Sequence, residues 1–151
     1  MGRENRKATE TEIDKMRELA RQAMLDGAFG LSTGLFYVPG NYAPLDEVIE
    51  LARVAGEFGG IHQSHMKDEA ARVLDSVRDT IAIGERGGLP TQVTHHQIIG
   101  QANWGKSADT LRLIDEGKRV IEYLAGARVP MPKTTANYLR RCDSFRDCRC
   151  A

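Results

Sequence analysis

Apolar residues recur at helical spacing in four separate stretches of the chain, and shorter β-prone runs lie between them. This spacing predicts amphipathic helices, each with one apolar stripe that packs against the rest of the protein. Threonine is a good N-cap, so the first helix is expected to start at Thr9 or Thr11. The four helices are predicted over residues 9–26, over residues 46–58, from after residue 69 to glycines 87–88, and from about residue 107 onward.

The runs between the helices are typical of short strands, and the first has the apolar, glycine-punctuated character of a buried parallel strand. Regular alternation of helices and strands indicates a parallel sheet covered by helices, which is the α/β class. Two architectures fit this order: an open doubly wound sheet, or part of a (β/α)8 barrel. The three strands are predicted over residues 28–35, 60–65 and 89–96.

Histidines occur where the second and third strands end, at His62 and His65 and at His95 and His96. Two strands joined by a helical crossover lie parallel, so their carboxyl ends face the same side of the sheet. Side chains alternate between the two faces of a strand, and only one histidine of each pair can therefore face the shared centre. We select His65 and His95, because each follows a hydroxyl residue at its strand exit.

His65 and His95 are therefore candidate ligands of one metal ion, with zinc as the expected cofactor, because neutral imidazole is a common zinc ligand. Two nitrogens that share one zinc ion are expected to lie about 3 to 4 Å apart. The alternative is that both are ordinary surface or loop histidines. Two histidines alone do not make a zinc site, which needs at least three protein ligands.

Composition narrows the classes of partner. The chain has 151 residues, with 21 basic and 21 acidic side chains, 41% hydrophobic residues and 28% charged residues. With these charges in balance, the chain has no net positive charge that would attract nucleic acid or an anionic membrane. No stretch reaches the roughly 20 apolar residues that would cross a bilayer, and the amino terminus lacks an apolar signal region, so a cytoplasmic protein is expected. All three cysteines lie within the last ten residues, which argues against a disulfide framework.

Three motifs, GAFGLSTGLFYVPG at residues 27–40, GIHQSHMKDE at 60–69 and ANWGKS at 102–107, resemble the N-acyl-D-amino-acid deacylases of the amidohydrolase superfamily. The resemblance is collinear and covers roughly residues 6–116. It implies a central fragment of a metal-dependent TIM barrel, and a hydrolase that uses zinc to cleave the amide bond of N-acyl-D-amino acids. In the motif pattern of the family, zinc ligands fall on His65 and His95, the same two residues that the strand geometry selects.

Other parts of the family site have no counterpart in this sequence. The resemblance implies an aspartate that transfers the proton, a His-x-His pair and a cysteine ligand, and none of them occurs here in the expected setting. We therefore expect no catalytic residue within the chain and impaired hydrolysis by the chain alone. The alternative is a non-catalytic barrel segment or an association module, whose open sheet edges would favour self-association.

The resemblance also indicates residues that contact a small-molecule substrate. Phe36 matches the position of an aromatic residue that lines the pocket for the substrate side chain, although packing on a neighbouring segment would equally explain it. Gln97 stands where many relatives carry a lysine that can pair with the substrate carboxylate. A glutamine offers only neutral hydrogen bonds, so Lys67 or Lys106 is expected to compensate.

The resemblance ends near residue 116, and we divide the chain there. Residues 1–116 are expected to form the barrel segment, whereas residues 117–151 form a divergent, basic tail that contains every cysteine. A change of reading frame near residue 117 is one explanation. A metal-binding or RNA-binding tail is the alternative, but its cysteine spacing matches no regular zinc motif.

Overall fold

The computed structural model describes residues 4–126, with side chains described through residue 117. Within them, four helices and three strands alternate in the predicted order. The predicted tail beyond residue 126 lies outside the described residues. The elements are α1 (Glu10–Leu25), β1 (Gly30–Gly34), α2 (Leu45–Glu57), β2 (Ile61–His65), α3 (Val73–Gly87), β3 (Thr91–Val93) and α4 (Ser107–Gly126), with single 3-10 turns at Gly40–Tyr42 and Gln101–Asn103.

The three strands form one parallel sheet in the order β1-β2-β3. His62 of β2 lies opposite Leu31 of β1 and Thr91 of β3, which sets the register across the sheet. Each connection is a helical crossover, as parallel strands require. The predicted α/β class is therefore confirmed, and the carboxyl ends of all three strands lie at one edge.

Local sequence signals define the helix ends. Thr9 caps α1 through a capping box, in which its hydroxyl accepts from the backbone of Glu12 and the carboxylate of Glu12 accepts from the backbone of Thr9. The third helix ends at Gly88, which has a left-handed backbone with φ of 69°. Both signals agree with the prediction.

Helices cover one face of the sheet. A core cluster joins α2, α3 and the covered side of β1, and it contains Leu35, Val48, Ile49, Ala52, Ala55, Ile83 and Leu89. On the other face, Ile61 is 41% exposed and Gln63 is also exposed. The prediction that the first strand is fully buried is wrong for this structure, because Ser32 and Gly34 lie on the uncovered face.

The third strand is shorter than predicted. It comprises Thr91–Val93, and the chain leaves extended geometry before His95, which has a positive φ of 35°.

None of the described helices is both long enough and apolar enough to cross a membrane.

Candidate metal centre

The two selected histidines lie next to each other at the carboxyl edge of the sheet. His65 is the last residue of β2, and the ladder continues past β3 through a hydrogen bond from the Thr94 amide to the Ser64 carbonyl. His95 then turns its ring toward β2, so that its Nε2 lies 2.5 Å from Nδ1 of His65. This distance is shorter than the expected 3 to 4 Å. The structure therefore brings together the two predicted residues.

The other two histidines face away from this edge. His62 is fully buried under the helices, and His96 lies 2.8 Å from the hydroxyl of Thr110 in α4 through its Nε2. Burial lowers the pKa of His96 below its ordinary value. One histidine of each pair therefore points to the centre. Side-chain alternation accounts for this in β2, whereas His95 and His96 lie beyond β3, where the positive φ of His95 sets the direction of the ring.

A third side chain, Glu69, completes the cluster. It is only 4% exposed, and its Oε1 lies 3.1 Å from Nδ1 of His95. The two atoms are at hydrogen-bonding distance, but their geometry does not form a hydrogen bond, so Oε1 is a buried polar atom without a hydrogen-bond partner. His65, Glu69 and His95 can bring one ligand atom each to within 4.8 Å of one another.

The turn after β2 places Glu69 by backbone bonds. The carboxylate of Asp68 accepts from the amides of Ala70 and Arg72 at 2.7 and 3.1 Å, an Asx-type turn at the start of the crossover. The Glu69 carbonyl accepts from the amide of Ile99 at 2.7 Å, which joins this turn to the loop after β3. Glu69 is therefore held between the exits of two neighbouring strands.

Sequence reasoning missed Glu69 as a member of the site. The motif that carries the family resemblance contains it, four residues after His65. The available signal was an acidic residue that closely follows a candidate ligand at a strand exit. Spacing could not show that the turn brings its carboxylate next to Nδ1 of His95.

Two aromatic side chains, Tyr37 and Phe36, lie beside His65. The ring of Tyr37 stacks on the imidazole, with centroids 4.9 Å apart and planes 28° apart. Phe36 lies edge-on to both rings, 5.3 Å from Tyr37 and 5.8 Å from His65. Both aromatic residues are at least half exposed, so they line the open approach to the histidine pair.

The remaining predicted contacts lie around the same edge. The Gln97 side-chain amide donates to Oε2 of Glu69 at 2.7 Å, so its hydrogen bond is made within the cluster. Lys67 is exposed in the turn between β2 and α3. Lys106 donates to Asn103 Oδ1 at 2.7 Å. The structure thus places Phe36 and Gln97 beside the histidine pair, and their roles toward a substrate stay predictions.

His62 belongs to a separate, closed network beneath the site. Its Nε2 lies 2.9 Å from the hydroxyl of Thr33, and its Nδ1 lies 2.5 Å from the hydroxyl of Thr91. Gly84 of α3 allows this packing, since a Cβ there would lie 2.9 Å from the Cβ of Thr91. Burial lowers the pKa of His62 to about 4, which keeps the ring neutral near pH 7.

The cluster at the edge has the chemistry of a metal site. Two imidazole nitrogens that face each other and a nearby carboxylate are the donors that zinc takes in hydrolytic centres. Burial of the Glu69 oxygen without a hydrogen-bond partner is costly unless a further interaction compensates for it. His65 and His95 therefore fit two of the protein ligands of a zinc ion, with Glu69 beside Nδ1 of His95, and a third protein ligand is needed to complete such a site.

Comparisons with solved structures identify the class of fold. The chain superposes with a TM-score of 0.75 on a D-aminoacylase whose crystal structure is described as defining a novel subset of amidohydrolases, at 37% identity. It superposes with a TM-score of 0.76 on the N-acyl-D-glutamate deacylase of Bordetella bronchiseptica, solved with zinc and a phosphonate inhibitor, at 39% identity. Each match covers 79% of this chain and 25% of the solved chain. The fold is therefore that of part of an amidohydrolase barrel.

Curated relatives specify the family within that class. The chain is 43% identical over 110 residues to the D-aminoacylase of Alcaligenes xylosoxydans xylosoxydans, which is 73% of this chain and 23% of that protein. It is 38% identical over 135 residues to the N-acyl-D-glutamate deacylase of the same organism, 89% of this chain and 28% of that protein. These matches confirm the resemblance to the N-acyl-D-amino-acid deacylases. The chain spans about a quarter of the length of these relatives.

Two further findings concern the extent of the match. No family model matches the chain. The 135-residue match is longer than the 116 residues assigned to the barrel segment. The division of the chain at residue 116 stays a prediction.

Proposed function

We propose that this chain supplies part of the active centre of a zinc-dependent hydrolase that cleaves the amide bond of N-acyl-D-amino acids, with His65 and His95 as zinc ligands. The observation that carries the proposal is the 2.5 Å approach of the two ring nitrogens at the carboxyl edge of a parallel sheet. Ligands and catalytic groups collect at this edge in barrels of this type. A structural relative was solved with zinc and a mimic of the tetrahedral intermediate.

Each side chain has a distinct task in this proposal. His65 and His95 hold the ion, which when bound acts as a Lewis acid toward the substrate carbonyl. The ring of Tyr37 lies against one face of His65 and restricts its rotation. Phe36 provides apolar surface at the approach to the pair, where it would contact the substrate side chain.

The carboxylate of an N-acyl-D-amino acid needs a donor at the same edge. Lys67, which is exposed in the turn after β2, can provide a positive charge there. The side-chain amide of Gln97 already donates a hydrogen bond to Glu69, so it contributes less to the binding of an anionic substrate. Because lysine and glutamine differ in charge, substrate preference is expected to depend on position 97.

We assign no residue of the chain as the general acid that donates a proton to the leaving amine. Among the described residues, the carboxylate of the cluster is Glu69, which is buried beside Nδ1 of His95. General acid catalysis is typically worth about 10² to 10⁴-fold in rate. We therefore expect the 151-residue chain alone to show no measurable hydrolysis of N-acetyl-D-methionine with zinc present.

A segment exchange tests the proposal directly. Residues 6–116 would replace the matching segment of the Alcaligenes D-aminoacylase, and hydrolysis of N-acetyl-D-methionine would be measured with zinc. We expect turnover that His65→Ala or His95→Ala abolishes and that the control His62→Gln retains. A folded exchange protein whose turnover survives both alanine variants would contradict the assignment of the ligands.

One observation favours a second candidate function, an association module. Within the described residues, β1 and β3 each pair along one edge only, and the uncovered sheet face carries Ile61, which is 41% exposed. Open edges and apolar faces promote pairing with another chain. Analytical ultracentrifugation distinguishes the candidates: a monodisperse monomer over a wide concentration range would contradict self-association.

A further inference from the structure

We infer that Glu69 is a positioning residue for the metal centre, which fixes the tautomer and orientation of His95 from behind. This inference rests on the proposed zinc site. It concerns a carboxylate that faces the ring nitrogen of His95 that does not face the other histidine. The two ring nitrogens of His95 have different neighbours: Nε2 faces His65 at 2.5 Å, and Nδ1 faces Oε1 of Glu69 at 3.1 Å.

The arrangement of atoms argues against Glu69 as a direct ligand. The two nitrogens of an imidazole are both bonded to Cε1, and their lone pairs diverge in the plane of the ring. An ion shared by Nε2 of His95 and Nδ1 of His65 would therefore occupy one nitrogen of His95, while Oε1 of Glu69 faces the other. Glu69 is thus placed to act on the metal through His95.

The chemistry of the contact selects one tautomer. A carboxylate accepts hydrogen bonds and cannot donate them, so it favours the form of His95 with the proton on Nδ1. That form leaves the lone pair of Nε2 free and directed at the metal position. Carboxylates that accept from the second nitrogen of a metal-bound histidine orient the ring and raise its basicity.

Two features fix the position of the Glu69 carboxylate beside His95. Oε2 accepts from the side-chain amide of Gln97 at 2.7 Å, which limits rotation of the carboxylate. Oε1 is buried, has no hydrogen-bond partner and lies at hydrogen-bonding distance from His95. Hydrogen bonds in active sites are often poorly aligned before the ligand is present, and they tighten when it binds. Gln97, Glu69 and His95 therefore form a row that ends at the metal position.

Nitrogen NMR of the zinc-loaded 151-residue chain tests the inference without any variant of Glu69. Long-range proton-nitrogen spectra distinguish the two tautomers, and a His95→Gln variant assigns the signals. We expect the His95 proton on Nδ1 and zinc on Nε2. The reverse assignment, with the proton on Nε2 or zinc on Nδ1, would overturn the inference.

Zinc affinity, measured by competition with a chromophoric chelator, provides the second test. Loss of the acceptor in Glu69→Ala should weaken zinc binding about 10 to 100-fold. The isosteric Glu69→Gln keeps an acceptor oxygen and should recover most of this loss, whereas Glu57→Ala, a change at an exposed ion pair with Arg21, should change nothing. Equal weakening in Glu69→Ala and Glu69→Gln, or none in either, would refute a positioning role.

The two proposals can fail separately. If neither the unaltered chain nor the segment-exchange protein binds zinc, the metal centre itself is refuted. The tautomer of His95 can still be measured in the zinc-free chain, with and without Glu69. A tautomer preference that Glu69→Ala removes supports the positioning role there, and an unchanged tautomer in a chain that is folded by circular dichroism rejects it.

Discussion

His62 and His65 lie three residues apart on the same strand, yet they have opposite environments. His62 is fully buried, and each of its ring nitrogens lies within hydrogen-bonding distance of a threonine hydroxyl. His65 is half-buried, and its Nδ1 faces another imidazole at the open edge of the sheet. Residue type and local sequence are therefore poor guides to the role of a histidine. The partner of each nitrogen is the better guide.

The closed network also includes Ser64, whose hydroxyl lies 3.3 Å from the hydroxyl of Thr33. A hydroxyl can donate or accept, so the threonine hydroxyls satisfy both nitrogens of the neutral His62 ring in either tautomer. Such a satisfied network links all three strands beneath the site, and it leaves His62 no nitrogen for a metal ion.

The largest expected difference between the two histidines is in zinc binding. His65→Ala removes one of two nitrogen ligands and should weaken zinc binding at least about 100-fold, since each structural zinc ligand contributes several kcal/mol. His62→Gln should leave the affinity within about threefold. Chelator competition measures both, and similar losses in the two variants would show that the buried network and the site are not separate.

The second difference is in stability. His62→Ala leaves a cavity and unpaired threonine hydroxyls, so it should lower the free energy of unfolding by about 3 kcal/mol. His65→Ala, at the half-buried edge, should lower it by less than about 1 kcal/mol. Urea unfolding followed by circular dichroism, with zinc removed by chelator, gives both values. A larger loss for His65→Ala would reverse the assignment of roles.

The third expected effect is a pH dependence of stability that comes from His62. Its pKa is about 4 in the folded protein, against 6.5 for an unperturbed histidine. Between these values the unfolded chain takes up a proton that the folded chain does not, so stability falls as the pH decreases from about 6.5 to about 4. The difference in pKa corresponds to a loss of up to about 3 kcal/mol at full protonation, and a smaller part at pH 5.

The control for this pH effect is His62→Gln, which removes the titrating group and keeps a polar side chain that can bond to the threonine hydroxyls. Its unfolding free energy should vary less between pH 6.5 and 4 than that of the unaltered chain. The lowered pKa of His96 acts in the same direction and remains in both proteins, so the difference between the two curves isolates His62. Identical slopes for the two proteins would show that burial of His62 carries no proton linkage.

Much of the architecture was predictable because each element carries its own local signal. The capping box at Thr9 and the left-handed Gly88 define helix ends through contacts within a few residues. The extent of β3 was not predictable in this way. Residues after Val93 are β-prone in sequence, yet the strand ends there. The positive φ of His95 is incompatible with an extended strand, and it turns the ring toward β2.

Exposure of the strands depends on what covers them. The apolar, glycine-rich character of the first strand predicted burial on both faces, yet helices cover only one face within the described residues. An amphipathic helix shows its buried side in its own periodicity. The sequence of a strand does not indicate whether other elements will cover one of its faces or both.

The sequence by itself determined the order of helices and strands and the parallel sheet, because periodicity and crossover topology follow from patterns along the chain. Alternation limited each histidine pair to one candidate, and the selection of His65 and His95 rested on the hydroxyl residues before them and on the family resemblance. Tertiary structure decided the rest of the site. Glu69 reaches Nδ1 of His95 because the Asp68 turn and the backbone hydrogen bond from Ile99 hold it there. The partners of an imidazole nitrogen come from distant parts of the chain, and only the packed sheet brings them within bonding distance.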